Sequence, residues 1–158
     1  MHILDISTPS TPAFISTYDH VRVCDPVVVD DDLAFVTLRS GTECEGFTNQ
    51  LEVINIEDLT NPQLLAVYPM TNPHGLGVDG NTLFVCDGDD GLKVYDKSDV
   101  AKIDENLLAH YFDMNAYDVI PMNNILMMVG TDGIYQYDYS DPNNIKFLSH
   151  IIATNEVP

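Results

Sequence analysis

Residues 51–68 of the chain, LEVINIEDLTNPQLLAVY, determine the fold class. They contain an apolar run at 51–56, a polar turn that includes Asn61-Pro62, and a second apolar run at 64–68. Two short apolar runs joined by turn-forming residues predict two antiparallel β-strands. The rest of the chain repeats this order of runs and turns, which indicates a repeat protein.

A polar anchor residue stands at the same place near the end of the first run in each copy. These anchors are Asp5, Asn55, Asp96 and Asp138, and consecutive anchors are 41 to 50 residues apart. In three copies the second run ends on a tyrosine, namely Tyr18, Tyr68 or Tyr111. A period of about 40–45 residues with short strand-like runs is typical of β-propellers.

A second pair of apolar runs lies between these copies. The breaks inside the pairs are rich in turn formers, at residues 30–32, 79–81 and 123–124. Each pair therefore predicts a β-hairpin. One repeat then has four strands, A to D, and the predicted fold is all-β, with about three and a half blades of four antiparallel strands. The predicted units of this partial β-propeller domain are 1–18, 19–68, 69–112 and 113–158, with at most one short helix, near Asp99 to Asn106.

The charge balance excludes several classes of partner. Acidic residues outnumber basic ones 25 to 6, and the formal net charge is −19. Nucleic acids and anionic membrane surfaces both require Lys and Arg, so neither is an expected partner. Such a charge favours either plain solubility or the binding of a cation or a basic partner. The sequence contains no stretch of about 20 apolar residues and no signal peptide.

The third strand of each repeat resembles the LVIVD-repeat family. The resemblance rests on residues 51–56, 2–7, 92–96 and 134–138, together with the Ser140-Asp141-Pro142 turn. It implies a β-propeller of bacterial or archaeal cell-surface or envelope proteins, some of which are anchored as lipoproteins. Because residue 1 begins inside a strand pattern, we expect these residues to be an excerpt of a longer protein. The alternative is that two or more copies complete one ring.

Strand order predicts where a site would lie. In an up-and-down blade the D–A and B–C connections emerge on one face, at the mouth of the central channel. If the protein binds a ligand, this face is where we expect it, although a structural role is the alternative for each residue. The candidate residues are Arg22, Asp25, Arg39, His74, Asp87, Asp89, Tyr117, Asp118 and Asp132.

The loop at 87–91 offers carboxylates in a glycine-containing turn. Asp87, Asp89 and Asp90 could provide oxygen ligands for Ca²⁺, or they could form an acidic turn with no ligand. No other cofactor is indicated. His74 has no second histidine at ligand spacing, so a zinc site has no support.

The cysteines suggest one cross-link. Cys24 and Cys44 are predicted in two connections on the same face of one blade, where they form either a disulfide or two free thiols. Cys86 ends an apolar run and is predicted to be a buried thiol.

Three functions remain open. The first is a non-enzymatic module for protein interaction or scaffolding on the cell envelope, with an unknown protein or glycan partner. The second is a propeller that binds a small ligand or a divalent cation at the channel mouth. The third is a hydrolase or lyase that uses the same residues, since a propeller fold does not by itself determine function.

Overall fold

A computed structural model of the chain describes residues 1–19, 26–41 and 48–153. These residues form antiparallel sheets, as the alternating pattern predicts. The strands are β1 His2–Asp5, β2 Ala13–Thr17, β3 Val27–Asp30, β4 Leu33–Leu38, β5 Gln50–Asn55, β6 Gln63–Pro69, β7 Leu76–Asp79, β8 Thr82–Cys86, β9 Leu92–Asp96, β10 Leu107–Tyr111, β11 Ala116–Met122, β12 Ile125–Gly130, β13 Gly133–Asp138 and β14 Lys146–Ile152.

The strands form one two-stranded and three four-stranded sheets. Strands β1 and β2 pair alone, and β3–β6, β7–β10 and β11–β14 each pair in chain order. We call these sheets blade 1, blade 2, blade 3 and blade 4. The all-β prediction is confirmed, and the sheets are consistent with propeller blades. A single turn of 3-10 helix, Ile103–Glu105, lies inside the stretch predicted to be helical.

The anchor residues make the same turn in every blade. Each is the last residue of its third strand, and its side-chain oxygen accepts a hydrogen bond from the backbone N–H two residues later. All four bonds are 2.8 Å long, and they join Asp5 to Ser7, Asn55 to Glu57, Asp96 to Ser98, and Asp138 to Ser140. A short Asx side chain stabilises a turn in this way, so the predicted equivalence of the anchors is confirmed.

Strand D contains an extra residue at the same register in all four sheets. In blade 2, Val53 pairs with Ala66 and the next residue, Ile54, pairs with Leu64, which leaves Leu65 as the inserted residue. The shift recurs in the other sheets. The inserted residues there are Ile15, Leu108 and Leu148. A one-residue β-bulge bends a strand and increases its twist. The four sheets therefore share this bend as well as their strand order.

The first strand of each four-stranded blade is innermost. Strand β7 contacts both β3 and β11, as expected for strands that line a central channel. Close approach is possible because Gly77 has no side chain. A Cβ atom there would lie 2.5 Å from Cδ of Pro121. Pro121 itself is tolerated because the innermost strand is an edge strand.

The core consists of layers between successive blades. Phe35, Leu51 and Val53 of blade 2 pack with Leu83 and Val85 of blade 3. A second layer lies between blades 3 and 4, and a third lies on the side of blade 2 that faces blade 1. Alternate residues of each middle strand therefore face opposite neighbours, as the period of two requires.

The inner strands of blades 2 and 4 leave apolar residues uncovered. Leu76 in β7 and Val119 in β11 are 7% and 4% exposed, but Val27 at the same register of β3 is 47% exposed. At the other end Ile120 is 57% exposed, at the position that Gly77 occupies against blade 4. Each of these positions is buried only when the inner strand of a neighbouring blade packs against it. Val27 and Ile120 face the sides on which the described residues provide no such strand. No helix in the described part of the chain is long and apolar enough to span a membrane.

Candidate functional site

The structure describes seven of the nine candidate residues. Arg22, Cys24 and Asp25 lie in residues 20–25 and Cys44 lies in residues 42–47, all outside the described ranges. The predicted disulfide therefore stays a prediction. Cys86 is fully buried, as predicted, and burial raises the pKa of its thiol well above the ordinary value.

Four of the candidates surround one pocket where the inner strands begin, which we call the mouth pocket. It has a volume of about 180 Å³. Arg39 follows β4 of blade 2, His74 precedes β7 of blade 3, and Tyr117 and Asp118 lie in β11 of blade 4. Three successive blades thus contribute to it. The remaining lining residues are Pro26, Pro73 and Gly75.

The imidazole of His74 lies against the guanidinium of Arg39. Nη1 of Arg39 is 2.8 Å from Nδ1 and 2.9 Å from Nε2 of the ring. A guanidinium has donors only, so the ring nitrogen that accepts must carry no proton. Burial and the charge of Arg39 lower the pKa of His74, although Asp87 and Asp89 act in the opposite direction. His74 is therefore a neutral side chain at pH 7.

Backbone bonds fix His74 and the residues around it. Thr37 donates its hydroxyl to the carbonyl of His74 at 2.5 Å, and the N–H of His74 donates to the carbonyl of Cys86 at 2.7 Å. The ring of Tyr117 lies 5.0 Å from the imidazole. These contacts hold the backbone and the ring of His74 in place, so the lining of the mouth pocket is fixed by the fold.

Asp118 reaches the pocket because its neighbour is a glycine. A Cβ atom on Gly75 would lie 1.9 Å from Oδ1 of Asp118, so any other residue at position 75 would displace the carboxylate. Oδ1 accepts a 2.9 Å hydrogen bond from the N–H of Val119. The pocket thus combines a permanent cation, a carboxylate, a neutral imidazole and an aromatic ring.

Asp87 does not line the mouth pocket, and its carboxylate is fully occupied by other residues of the protein. It is fully buried, and its carboxylate accepts hydrogen bonds from the N–H groups of Thr71 and Asn72. Nζ of Lys93 lies 2.5 Å from Asp87 and 2.7 Å from Asp90. Burial alone would lower the pKa of Lys93, but its bonds to the two carboxylates raise it. The Lys93 ammonium thus occupies the place between Asp87 and Asp90.

The other loop carboxylates lie apart from this pair. Asp89 accepts a hydrogen bond from the amide of Asn115, and Asp132 accepts one from the hydroxyl of Tyr135. Within residues 1–19, 26–41 and 48–153, no group of three or more His, Cys, Asp or Glu side chains could hold a metal ion. Asp87, Asp89 and Asp90 therefore do not converge on a common point where they could bind Ca²⁺ together.

Lys93, His110, Tyr135 and His150 take part in these contacts but are not predicted from the sequence. His110 donates Nε2–H to the carbonyl of Asp90 at 2.6 Å, and His150 stacks on Tyr135 with ring centroids 3.9 Å apart. Lys93 and His110 have apolar or aromatic neighbours on both sides in their strands, so no local pattern marks them. The signal that could have found them is the repeat itself: Lys93 and Tyr135 occupy equivalent positions in the third strand, and His110 and His150 occupy equivalent positions in the fourth.

The comparison with known proteins agrees with the repeat. A family model of the LVIVD repeat matches residues 1–20. No curated protein matches the chain. The matched residues cover β1 and β2, whose anchor turn and bulge recur in the other three sheets. Residues 1–20 of the chain therefore match an LVIVD repeat, and the four sheets are consistent with blades of a β-propeller.

Proposed function

We propose that the chain is a non-enzymatic interaction module of the cell envelope, and that the mouth pocket receives one group of a protein or glycan partner. The observation that carries the proposal is that Arg39, His74, Tyr117 and Asp118 come from three blades to line this pocket. The envelope location rests on the resemblance to LVIVD-repeat proteins.

The size of the pocket supports an interaction surface over a substrate site. At about 180 Å³ it is smaller than the roughly 300–1,000 Å³ of pockets that enclose a whole small molecule. It matches a single sugar ring or a single side chain that belongs to a larger partner. Rigid aromatic and arginine side chains are enriched at the centres of such interfaces.

The side chains that line the mouth pocket suit a ligand group that has polar edges and one apolar face. The ring of Tyr117 offers an apolar face, the guanidinium of Arg39 offers a positive charge, and the carboxylate of Asp118 can accept hydrogen bonds from a ligand. His74 adds a neutral imidazole between them. A sugar ring, with an apolar face and hydroxyl groups at its edge, uses all of these features.

A photo-crosslinking experiment tests the proposal. Tyr117 is replaced by p-benzoylphenylalanine, and the protein is irradiated on envelope preparations from the source cells and on an oligosaccharide array. The matched control places the same probe at Leu59, which is also exposed but lies in a C–D turn on the opposite face. We expect a discrete adduct from position 117 that Arg39→Ala reduces at least tenfold. Equal labelling from positions 117 and 59, or no adduct from either, would contradict the proposal.

Binding of a free small ligand is the second candidate, because the charged and aromatic groups of the mouth pocket could also bind a monosaccharide or a small carboxylic acid. Titration with monosaccharides and small carboxylic acids, followed by NMR shifts of residues 74–75 and 117–118, separates the two. Saturable binding of a free molecule without any envelope adduct would favour the second candidate.

A further inference from the structure

Blades 3 and 4 contain the same aspartate–histidine pair. Nε2 of His110 lies 3.7 Å from Asp90, and Nε2 of His150 lies 3.9 Å from Asp132. The two pairs are equivalent by register. His110 pairs with Lys93 across strands D and C of blade 3, and His150 pairs with Tyr135 in blade 4.

In blade 3 a lysine fills the space beside this pair. The ammonium of Lys93 is bonded to Asp87 and Asp90, and its side chain is only 12% exposed. Asp87 is oriented by the backbone of Thr71 and Asn72 in the preceding D–A connection. The region between the loop and that connection is thus an ammonium site occupied by the chain itself.

In blade 4 both partners are replaced. Tyr135 stands at the register of Lys93, and Gly130 stands at the register of Asp87. A Cβ on Gly130 would lie 2.9 Å from the carbonyl oxygen of Asn115, so a carboxylate cannot occupy that place without a shift. A pocket of about 250 Å³ remains, which we call the inter-blade pocket.

The lining of the inter-blade pocket suits a cation. It contains the carboxylates of Asp113 and Asp132 and the rings of Tyr135 and Tyr137, and no Lys or Arg is among its lining residues in the described ranges. Electron-rich ring faces attract ammonium ions. The Oδ1 atom of Asn115, another lining residue, is buried and has no hydrogen-bond partner among the described residues. An N–H donor in the pocket would supply that partner.

We propose that the inter-blade pocket binds an alkylammonium ion, at the place where blade 3 carries its own Lys93 ammonium. Asp132 is the main counter-ion, oriented by the hydroxyl of Tyr135. Asn115 accepts a hydrogen bond from the ammonium. The pocket is separate from the mouth pocket, so the inference does not rest on the proposed function. The ion can be a free amine or a lysine side chain of a partner protein.

An NMR titration at constant ionic strength tests this inference. The probes are n-butylammonium, a capped lysine peptide as the protein-like source, and n-butanol as a neutral match. We expect saturable shifts at residues 113–115 and 131–135 with both ammonium probes and none with n-butanol. Tighter binding of the peptide than of n-butylammonium indicates a partner's lysine, and the reverse indicates a free amine.

Two variants make the test specific. Tyr135→Lys introduces the residue of blade 3 and should abolish binding because the chain then fills its own site. Asp132→Asn should weaken binding at least tenfold. Asp58→Asn makes the same charge change in the C–D turn of blade 2, outside both pockets, and should leave the affinity unchanged. Equal binding of n-butanol, no saturable shift, or affinities that Asp132→Asn and Tyr135→Lys leave unaltered would overturn the inference.

Discussion

The hydroxyl of Tyr68 donates a 2.5 Å hydrogen bond to the backbone carbonyl of Val100. The same oxygen accepts a bond of 3.3 Å from the N–H of Ile103. Tyr68 is the penultimate residue of strand D of blade 2, whereas Val100 and Ile103 belong to the C–D connection of blade 3. Tyr111 repeats the relationship one blade later, since its hydroxyl accepts a 2.8 Å bond from the N–H of Ile145. These tyrosines join consecutive blades.

Removal of the Tyr68 hydroxyl should therefore weaken the junction between blades 2 and 3. We expect Tyr68→Phe to lower the free energy of unfolding by about 1–3 kcal/mol, because two backbone groups lose their partner. Urea denaturation followed by circular dichroism measures the change. Tyr117→Phe, on an exposed ring, should change stability by much less, and equal effects of both variants would show that the junction is unimportant.

The buried Asp87 should matter more than its exposed neighbour. Asp87→Ala leaves Lys93 with one carboxylate and deprives the N–H groups of Thr71 and Asn72 of their acceptor. We expect a loss of about 3–5 kcal/mol, as for one partner of a buried pair. The matched control is Asp89→Ala in the same loop, for which we expect less than about 1 kcal/mol. A thermal or urea melt of both variants compares them directly.

The anchor turn should accept Asn but not Ala. Asn55 makes the same 2.8 Å bond in blade 2 that Asp96 makes in blade 3. We therefore expect Asp96→Asn to be nearly neutral and Asp96→Ala to lower the urea midpoint of unfolding, because only the latter removes the acceptor oxygen. Equal unfolding midpoints for the wild type and the Ala variant would contradict the role of the turn.

Stability should fall in mildly acidic solution because of His74. Burial and Arg39 lower the pKa of His74 in the folded protein, so the unfolded chain binds the proton more tightly. The contribution of neutral His74 is fully present above about pH 6.5, and it is lost as the pH falls from there through the lowered pKa of His74 in the folded protein. His74→Gln should flatten the decline of the melting temperature between pH 7 and pH 5. His2→Gln, an exposed histidine on β1, should retain the wild-type profile.

The uncovered apolar residues should make the 158-residue chain associate. Val27 and Ile120 are 47% and 57% exposed at positions that a neighbouring blade covers elsewhere. Exposed apolar faces of this kind favour association. We expect a sedimentation coefficient that rises with concentration, and a smaller rise for the double variant Val27→Lys, Ile120→Lys. A single monomeric species at all concentrations would contradict this expectation.

The fold could be predicted from the sequence because its signals are local. The anchor residues, the turn formers at 30–32, 79–81 and 123–124, and the alternation of apolar residues each act within a few positions. For example, Asn123 and Asn124 both adopt positive φ, as a tight hairpin turn requires. The register of three blades follows from such turns, and so does the meeting of four candidate residues at the mouth pocket.

The chemistry of the inter-blade region could not be predicted in the same way. Lys93 bonds to Asp87 only because alternate residues of β9 face opposite blades and residue 93 faces blade 2. Whether an acidic loop binds a cation thus depends on one residue of the following strand. In blade 4 the same register has Tyr135, and no local pattern distinguishes the two loops.

The recurrent bulge in strand D has a consequence for how such chains can change in length. A residue inserted or deleted between Ile15, Leu65 or Leu108 and the following tyrosine would turn the tyrosine to the other face of its sheet. By contrast, the connection at 97–106 is longer than its counterparts at 6–12, 56–62 and 139–145, and the strands on either side still pair in the common register. Natural length variation among these repeats should therefore be concentrated in the connections after strand C, and engineered insertions should be placed there.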